Sequence, residues 1–470
     1  MSGEPALPIG QTWPESDVRA ALGLTPPSGR PPLTFSGIST DSRAIQSGAL
    51  FVALQGERFD GHDYLAGVAR AGAAGAIVRR GTPPVPPLAL LEVDDPLRAF
   101  GLLARERRRK LPGPVVAVTG TNGKTSTKEM LAAVLGTRYR TYATRANLNN
   151  LVGVPLTILE APADTQALIV EAGANLPGEI GRYREIIEPS ITVITNAVAG
   201  HLEGFGSLSG VVEEKLSLTT GVPLAIVGVD PPALAEGARV RAREVRTAAL
   251  ARADLMPSEV SLDDAARPVM TIANHRFVLA ARGLHQADNA VRAWAVAEAL
   301  GLDLEAVARA LERFAIPGGR GELIQEGKLT ILNDCYNANP QSFRAAIATA
   351  AALRGDRRLV FVAGTMRELG SESAALHREI AEALVDLHPE LLAAVGDFVP
   401  AVKPYAGALR HRLITAADPL ALAPLLAPHL RGDELVVLKA SRGVALERIL
   451  PALQARAKHA DTPGAPLYPR

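Results

Sequence analysis

The chain is poor in several things that would have decided its class. It has one cysteine, Cys335, in 470 residues, so no internal disulfide can form, which fits a reducing compartment. Its formal net charge is only +1, so no bulk field draws it to nucleic acid or to an anionic membrane surface. No uncharged apolar run is long enough to span a bilayer. The opening Met1-Ser2-Gly3-Glu4-Pro5 lacks a basic segment followed by an apolar one, so no signal peptide is expected. There is no internal repeat and no low-complexity block, and lysine is scarce beside arginine, alanine and proline. What remains is the expectation of a cytoplasmic globular protein with no nucleic-acid partner and no membrane insertion. A hydrophobic fraction of 47% and a charged fraction of 21% suit it. The length accommodates about two to four domains, each able to bury its own core.

The most informative stretch present is residues 115–129. Val115 to Thr119 reads as a buried strand, and Lys128 to Leu135 has helical spacing with Gly136 placed as a C-cap. Between them lies Gly120-Thr121-Asn122-Gly123-Lys124-Thr125-Ser126. Strand, glycine turn and helix are what a phosphate-binding loop requires. Backbone N–H groups and the helix N-terminus face the anion, a lysine neutralises it, and a threonine hydroxyl can hold Mg²⁺. The strict G-x-x-x-x-G-K-S/T spacing is not met, because Val118 stands where the first glycine would be. The plainer alternative is a tight turn between an ordinary strand and helix.

Along the chain, Leu50 to Leu54 and Ala76 to Val78 read as strands and His62 to Ala74 as a helix. Residues 82–87 form a stiff proline loop, and 110–114 a linker. Strand-like runs at 115–119, 167–171, 190–195 and 224–228 alternate with helical stretches, which predicts a mostly parallel sheet covered by helices. Gln286 to Leu300 and Leu304 to Phe314 read as helices closing that unit. Further strands at 329–333, 358–363, 391–395 and 434–438, with helices at 372–386 and 443–455, predict a second α/β unit of Rossmann type. The expected divisions are 1–112, 113–316 and 317–457, followed by a polar tail over 458–470.

Several residues stand where chemistry could occur. Glu171 ends an apolar run and should lie at the carboxyl end of a central strand. It reads either as a Mg²⁺ ligand beside the phosphate loop or as a helix cap. Thr195 and Asn196 end the next strand, and His201 follows in a glycine-rich loop, as a surface residue or as a metal or phosphate contact. Lys215 lies in a helical stretch and reads, alone, as a solvated lysine paired with a glutamate. Asp334 and the turn to Asn339-Pro340 read as a ligand loop or as an ordinary strand-to-helix turn.

Taken in order, these motifs resemble the Mur ligases, ATP-dependent amide-forming enzymes that build the peptide of the peptidoglycan precursor. The resemblance covers roughly residues 36–447. It rests on Thr40-Asp41-Ser42-Arg43, Gly48 to Ala53, Asp60-Gly61-His62, the loop Thr119 to Ser126, Asn147-Leu-Asn-Asn150 with Gly153 to Leu156, Glu171 to Asn175, His201, Lys215, Asn289, Gly319-Arg320 and Asp334 onward. The family's shortened phosphate loop also accounts for Val118. Glu171 to Ile180, Asn147 to Asn150 and Asp334-x-Tyr336-Asn337-Ala-Asn339-Pro340 are similar to the branch that adds D-alanyl-D-alanine to a UDP-N-acetylmuramoyl-tripeptide (UDP-MurNAc-tripeptide).

The resemblance implies an α/β protein of three domains: a small N-terminal domain for the uridine nucleotide, a central P-loop ATPase domain with a mostly parallel sheet, and a C-terminal Rossmann-like domain. It implies ATP and two Mg²⁺ ions as cofactors, UDP-MurNAc-tripeptide and D-alanyl-D-alanine as partners, and a monomer. Residues 120–126 with Lys124 would hold phosphates, and Thr125 and Glu171 a first Mg²⁺. His201 and Lys215, the lysine carbamylated, would serve a second. Asn289, Arg320 and Asp334 would meet the nucleotide, with Arg320 offsetting charge on the transferred phosphoryl group. Ser42 and Arg43 would meet the uridine nucleotide of the acceptor, and Asn147, Asn150, Asn337 and Asn339 the substrates.

The chain departs from the branch at Leu151, where an acidic residue is usual, at Leu216-Ser217 for Gly-Glu, at Thr365 for Asp and at Ala440 for Gly. Other readings are a ligase for a different amino acid, in the Mur or folylpolyglutamate manner, and a non-catalytic ATP-binding scaffold. The Asn337–Pro340 loop argues against the first. The joint presence of Lys124, Glu171, His201 and Lys215 argues against the second.

Overall fold

Short apolar runs ending in glycine or polar loops build three sheets in succession. The structure is a computed structural model and describes residues 12–200 and 202–460. In the first sheet Ile38–Ser39, Leu50–Val52, Gly75–Arg79 and Ala89–Val93 lie in sequence order, all parallel. Ahead of it Trp13–Pro14 pairs with Thr34–Phe35. Buried Glu15 secures this entry, accepting hydrogen bonds from Arg19, Arg30 and Leu33 N at 2.7–2.9 Å. Burial alone would push its carboxyl up, but these donors outweigh burial and hold it at about 2.

The helix expected from His62 to Ala74 is instead a 3₁₀ turn, Gly61–Tyr64, followed by a short helix, Leu65–Arg70. Asp60 accepts from His62 N at 3.0 Å and tightens the entry. A further helix, Pro96–Arg109, was not apparent from spacing. Asp95 caps it and proline opens it. Its Phe100 and Leu103 share one apolar cluster with Val115, Leu168 and Tyr183 of the next unit.

The central sheet has six parallel strands in the order Glu244–Thr247, Leu224–Val227, Ile191–Ile194, Val115–Thr119, Ala167–Glu171, Thr141–Ala143. Val115–Thr119 lies in the middle, so the loop after it opens between two neighbouring strand ends, where open α/β sheets bind ligands. The outer strands 141–143 and 244–247 were not expected, nor was a three-stranded antiparallel sheet, Glu259–Leu262, Pro268–Ile272 and His275–Val278. Helices Leu284–Ala299 and Leu304–Leu311 close the unit.

The third sheet runs Glu322–Glu326, Leu329–Asp334, Leu435–Lys439, Leu359–Ala363, Leu391–Val395, Leu413–Ala416. Its first strand is antiparallel and the other five are parallel. Asn339 opens helix Pro340–Arg354. The helix expected over 443–455 begins as 3₁₀ turns, Arg442–Val444 and Leu446–Ile449, and becomes α-helical at Leu450. Among the described residues no helix is long and apolar enough to cross a membrane.

Candidate active site

The strand Val115–Thr119 delivers the chain into the glycine loop, and the helix begins at Lys124, a turn earlier than its apolar spacing suggested. Gly120 has φ +143°, and a Cβ there would fall 1.9 Å from Thr195 Oγ1. Gly123 has φ +82°, and its Cβ would fall 2.5 Å from Asn289 Oδ1. Both are positions that only glycine fits without strain. Gly136, by contrast, ends the helix at φ −61° and makes no use of such freedom. Asn196 at the neighbouring strand end grips the loop: its carbonyl accepts from Thr121 N at 3.0 Å and its Oδ1 from Asn122 N at 3.0 Å. Lys124 Nζ is folded onto its own loop, donating to the carbonyls of Gly120 and Thr121 at 2.9 and 3.0 Å. Burial lowers its pKa; the charges of Glu171 and Glu368 oppose that fall and that of Arg320 adds to it.

Glu171 ends its strand 2% exposed. Asn149 Nδ2 donates to its Oε1 at 2.8 Å, while Oε2 is buried without a hydrogen-bond partner. A buried carboxylate oxygen left bare is costly unless a cation or donor completes it. With Thr125 at the head of the loop helix, this donor set fits a hard, oxygen-seeking divalent ion such as Mg²⁺. Asn149, which orients Glu171 and lines the cavity, was not singled out by the sequence, which pointed to its neighbours Asn147 and Asn150. Asn150 Oδ1 accepts from Val152 N and Gly153 N and caps the helix Gly153–Glu160. Asn147 is exposed in the preceding turn.

Lys215 overturns the solvated-lysine reading, being 1% exposed on helix Leu208–Leu216 with its ammonium 5.5 Å from the centre of the Phe205 ring. Burial first, then the Lys124 charge, lowers its pKa to about 7, with Glu214 and Glu179 opposing. This depression favours the neutral amine, the form that can take up CO₂. The adjacent Glu214 is also buried and accepts from Gly178 N and Ile180 N at 2.7 Å, anchoring the loop that follows Glu171. His201 lies outside the described residues.

A cavity of about 510 Å³ joins the phosphate loop and Glu171 to the third sheet; Lys215 does not line it. Arg320 stacks on Tyr336, its guanidinium carbon 3.6 Å from the ring centre, and its Nε is buried without a partner. Asp334 pairs with Lys439 Nζ at 2.7 Å; that lysine, 2% exposed, also donates to the Asn337 carbonyl at 2.7 Å. Lys439 therefore shapes the loop on which Asp334 and Asn337 sit. Asn339 Oδ1 accepts from Ser342 N at 2.9 Å, so it does open a helix. Its Nδ2 donates to Asn122 Oδ1 at 2.6 Å, and Asn122 Nδ2 donates to Gln341 Oε1 at 2.7 Å, so the phosphate loop is tied directly to the third unit.

The cavity brings together Thr121 to Ser126, Asn150, Glu171, Asn289, Arg320, Asp334 and Asn337. Ser42 and Arg43 stand apart on the first sheet's loops, where Arg43 closes on its own Asp41 at 2.7 Å. Thr365, one of the departures, has a structural use: its Oγ1 accepts from Asp397 N at 2.9 Å. Ala440 is fully buried, where it would meet a Cβ at Gly364 at 2.8 Å.

A glycine loop at a central strand end, facing a buried carboxylate and a second α/β unit, defines the nucleotide-dependent ligases of this build, and the chain belongs to the Mur ligase family. The models for the Mur ligase catalytic, middle and glutamate ligase domains match residues 34–105, 118–297 and 319–442. The chain is 33% identical to the UDP-N-acetylmuramoyl-tripeptide–D-alanyl-D-alanine ligase of Bacillus subtilis, covering 88% of this chain and 92% of that one. It is 35% identical to the Escherichia coli protein of the same name, covering 90% and 94%. A crystal structure of MurF from Acinetobacter baumannii superposes with a TM-score of 0.85 at 30% identity, covering 95% of this chain and 99% of that one. MurF from Thermotoga maritima, solved in complex with ADP, gives 0.79 at 26% identity, covering 90% and 98%.

Proposed function

We propose that this chain joins D-alanyl-D-alanine to UDP-MurNAc-tripeptide at the expense of ATP, giving the pentapeptide precursor of peptidoglycan. The observation that carries the reading is the single cavity shared by the phosphate loop and the Asp334–Asn339 loop, in a chain aligned almost end to end with relatives of that name.

A carboxylate is a poor acyl donor because its leaving group would be oxide. Transfer of the γ-phosphoryl group to the tripeptide's terminal carboxylate makes an acyl phosphate. The dipeptide amine then attacks the carbonyl carbon, the C–N bond forms, and phosphate leaves with the C–O electron pair. Charge builds up between anions in both steps. Lys124 would release its own loop carbonyls and hold the phosphates together with the amides of residues 120–126. Arg320, fixed by its stack on Tyr336, would face the transferred group, Asn289 the phosphate loop, and Asp334 the nucleotide. Mg²⁺, when bound, would neutralise part of that charge. Thr125 and Glu171 would hold one ion, and His201 with a carbamylated Lys215 a second. Ser42 and Arg43 would serve the uridine nucleotide, and Asn147, Asn150, Asn337 and Asn339 the peptide substrates. The working units are 1–112, 113–316 and 317–457, in a cytoplasmic monomer.

The test is phosphate release from ATP with Mg²⁺, UDP-MurNAc-tripeptide and D-alanyl-D-alanine, omitting each in turn and weighing the product. Release that needs both substrates and yields the pentapeptide is expected. Release that proceeds with a free amino acid in place of the dipeptide overturns the branch. Nucleotide binding without turnover on any acceptor favours the scaffold.

A further inference from the structure

The cavity continues past the phosphate loop along the segment that follows Glu171, where Gly173, Ala174, Asn175, Glu179 and Tyr183 line it. None of the assignments above uses Glu179 or Tyr183. Four carboxylates line the cavity, and three are already engaged. Asp334 is paired with Lys439 at 2.7 Å. Asp288 is paired with Arg292, and its Oδ1 accepts from Leu250 N at 3.1 Å. Glu171 stands beside the phosphate loop with Thr125, as an ion ligand. Glu179 remains, and among the described residues no cation pairs with it. Its Oε2 accepts from Asn175 N at 2.8 Å and Leu176 N at 3.0 Å, while no described donor meets its Oε1.

The fold fixes this carboxylate in place. Glu214 accepts from the N–H groups on either side of it, Gly178 N and Ile180 N, both at 2.7 Å. The two bonds to Oε2 then hold the carboxylate and leave Oε1 as its open end. Tyr183 follows four residues on, on the same face of helix Glu179–Ile187. It is fully buried, and its hydroxyl has no hydrogen-bond partner. Burial, then the charges of Glu179 and Glu214, raises its pKa, so the phenol keeps its proton in a negative field. Two carboxylates outweigh the charge of roughly +0.5 at the helix N-terminus. A buried hydroxyl left unpaired is costly until a ligand completes it. Two open oxygen acceptors in a negative field are the complement of an ammonium group. The helix also packs on the N-terminal unit. Tyr183 shares its apolar cluster with Phe100 and Leu103, and Ile186 Cδ1 lies 2.8 Å from where a Cβ at Gly101 would fall.

We propose that Glu179 and Tyr183 form the subsite for the side-chain ammonium of the tripeptide's third residue, an assignment that rests on the ligase reading above and deepens it. That residue carries the carboxylate to be phosphorylated, and its side chain leaves from the neighbouring carbon. An acceptor held at its uridine end by the N-terminal unit and at its carboxylate by the phosphate loop runs past helix Glu179–Ile187. The ammonium donates to Glu179 Oε1 and to the Tyr183 hydroxyl oxygen, and it stays charged, with no bond made or broken there. The chain thus selects a third residue whose side chain ends in an amine, lysine or a diaminopimelate, and rejects a neutral one.

The experiment measures kcat/KM with two pairs of UDP-MurNAc-tripeptides. The third residue is lysine or norleucine in one pair, and diaminopimelate or 2-aminopimelate in the other. Within each pair only the side-chain amino group differs. The wild-type chain should prefer the amine-bearing member of at least one pair by roughly ten- to a hundredfold, chiefly through KM for the acceptor. Glu179→Gln keeps an oxygen for Asn175 N and Leu176 N but loses the charge, and it should shrink that preference by about tenfold. Tyr183→Phe should shrink it by about two- to tenfold. Because Tyr183→Phe removes an unpaired buried hydroxyl, the unliganded variant should melt no lower than wild type. A merely structural role would slow both members of a pair alike and leave the ratio unchanged. Equal rates on both members of each pair in the wild type, or an unchanged ratio in Glu179→Gln, overturns the subsite and leaves the ligase reading standing. A wild-type chain that forms no pentapeptide from any of these acceptors overturns the ligase reading, and the subsite with it.

Discussion

The central unit meets its two neighbours in opposite ways. Against the N-terminal unit the seam has a continuous apolar core: Phe100 and Leu103 sit in one cluster with Val115, Leu168 and Tyr183. Arginines from the same helix close the ends of two central helices. Arg107 donates to the carbonyls of Ala161 and Pro162, and Arg108 to those of Ile187 and Glu188, at 2.6–3.2 Å. Cations at helix C-termini satisfy orphan carbonyls and complement the dipole. Against the C-terminal unit the seam is polar and holds the cavity. Among the described residues Ala266 alone of the central unit joins the C-terminal apolar core. Elsewhere the join includes backbone packing of Gly370 on Glu203 and of Gly283 on Thr349, and hydrogen bonds of Asn122 with Asn339 and Gln341 and of Gln341 with Asp230 at 3.4 Å. Burial of apolar surface is hard to reverse, whereas neutral hydrogen bonds exchange with water at small net cost. The contrast predicts that the first seam stays shut and that the second opens for substrates and closes for chemistry.

That contrast can be broken at several places. The largest effect is expected at Gly120→Ala, where Cβ collides with Thr195 and disturbs the loop both units depend on. Turnover should fall about 10²-fold or more, read as kcat/KM for ATP. Next is Lys215→Met. The folded lysine has a pKa of about 7 against 10.5 unfolded, so between those values the unfolded state binds more protons, and wild-type stability rises with pH. The variant should therefore melt higher than wild type at pH 7 in CO₂-free buffer, and the gap should close towards pH 10. A gap independent of pH would contradict the burial. Arg107→Ala strips buried carbonyls at the fixed seam and should cost about 1–3 kcal/mol in denaturant unfolding with little change in kcat. The smallest is Gln341→Ala at the opening seam, about 0.5–1.5 kcal/mol of closure, seen as up to roughly a tenfold rise in KM at unchanged melting temperature.

Local signals made much of this legible. The β-branched strand, the glycines of the phosphate loop and the placement of Glu171 at a strand end are near-neighbour patterns, and the fold keeps them. Lys215 was opaque alone, because helical spacing does not tell a buried lysine from a solvated one; the family resemblance supplied it. Asn149, Glu214 and Lys439 were missed for one reason: each acts on a group from another segment, and no spacing along the chain encodes that. Of the antiparallel strands between 259 and 278, Glu259–Leu262 gives little apolar period, with Glu259, Val260 and Ser261 exposed. Pro96–Arg109 carries its cap and its proline plainly, and its Arg107 and Arg108 prove to be an inter-unit clamp.

The most direct test is a pair of spin-label distances, one across each seam, in the chain alone and with a non-hydrolysable ATP analogue, Mg²⁺ and UDP-MurNAc-tripeptide. Cys335 is buried, which favours introduced labelling sites. A narrow, ligand-independent distance from the Pro96–Arg109 helix to the central sheet is predicted, together with a distance from the central sheet to the C-terminal unit that shortens and sharpens with ligands. A shift across the first seam, or none across the second, would contradict the account.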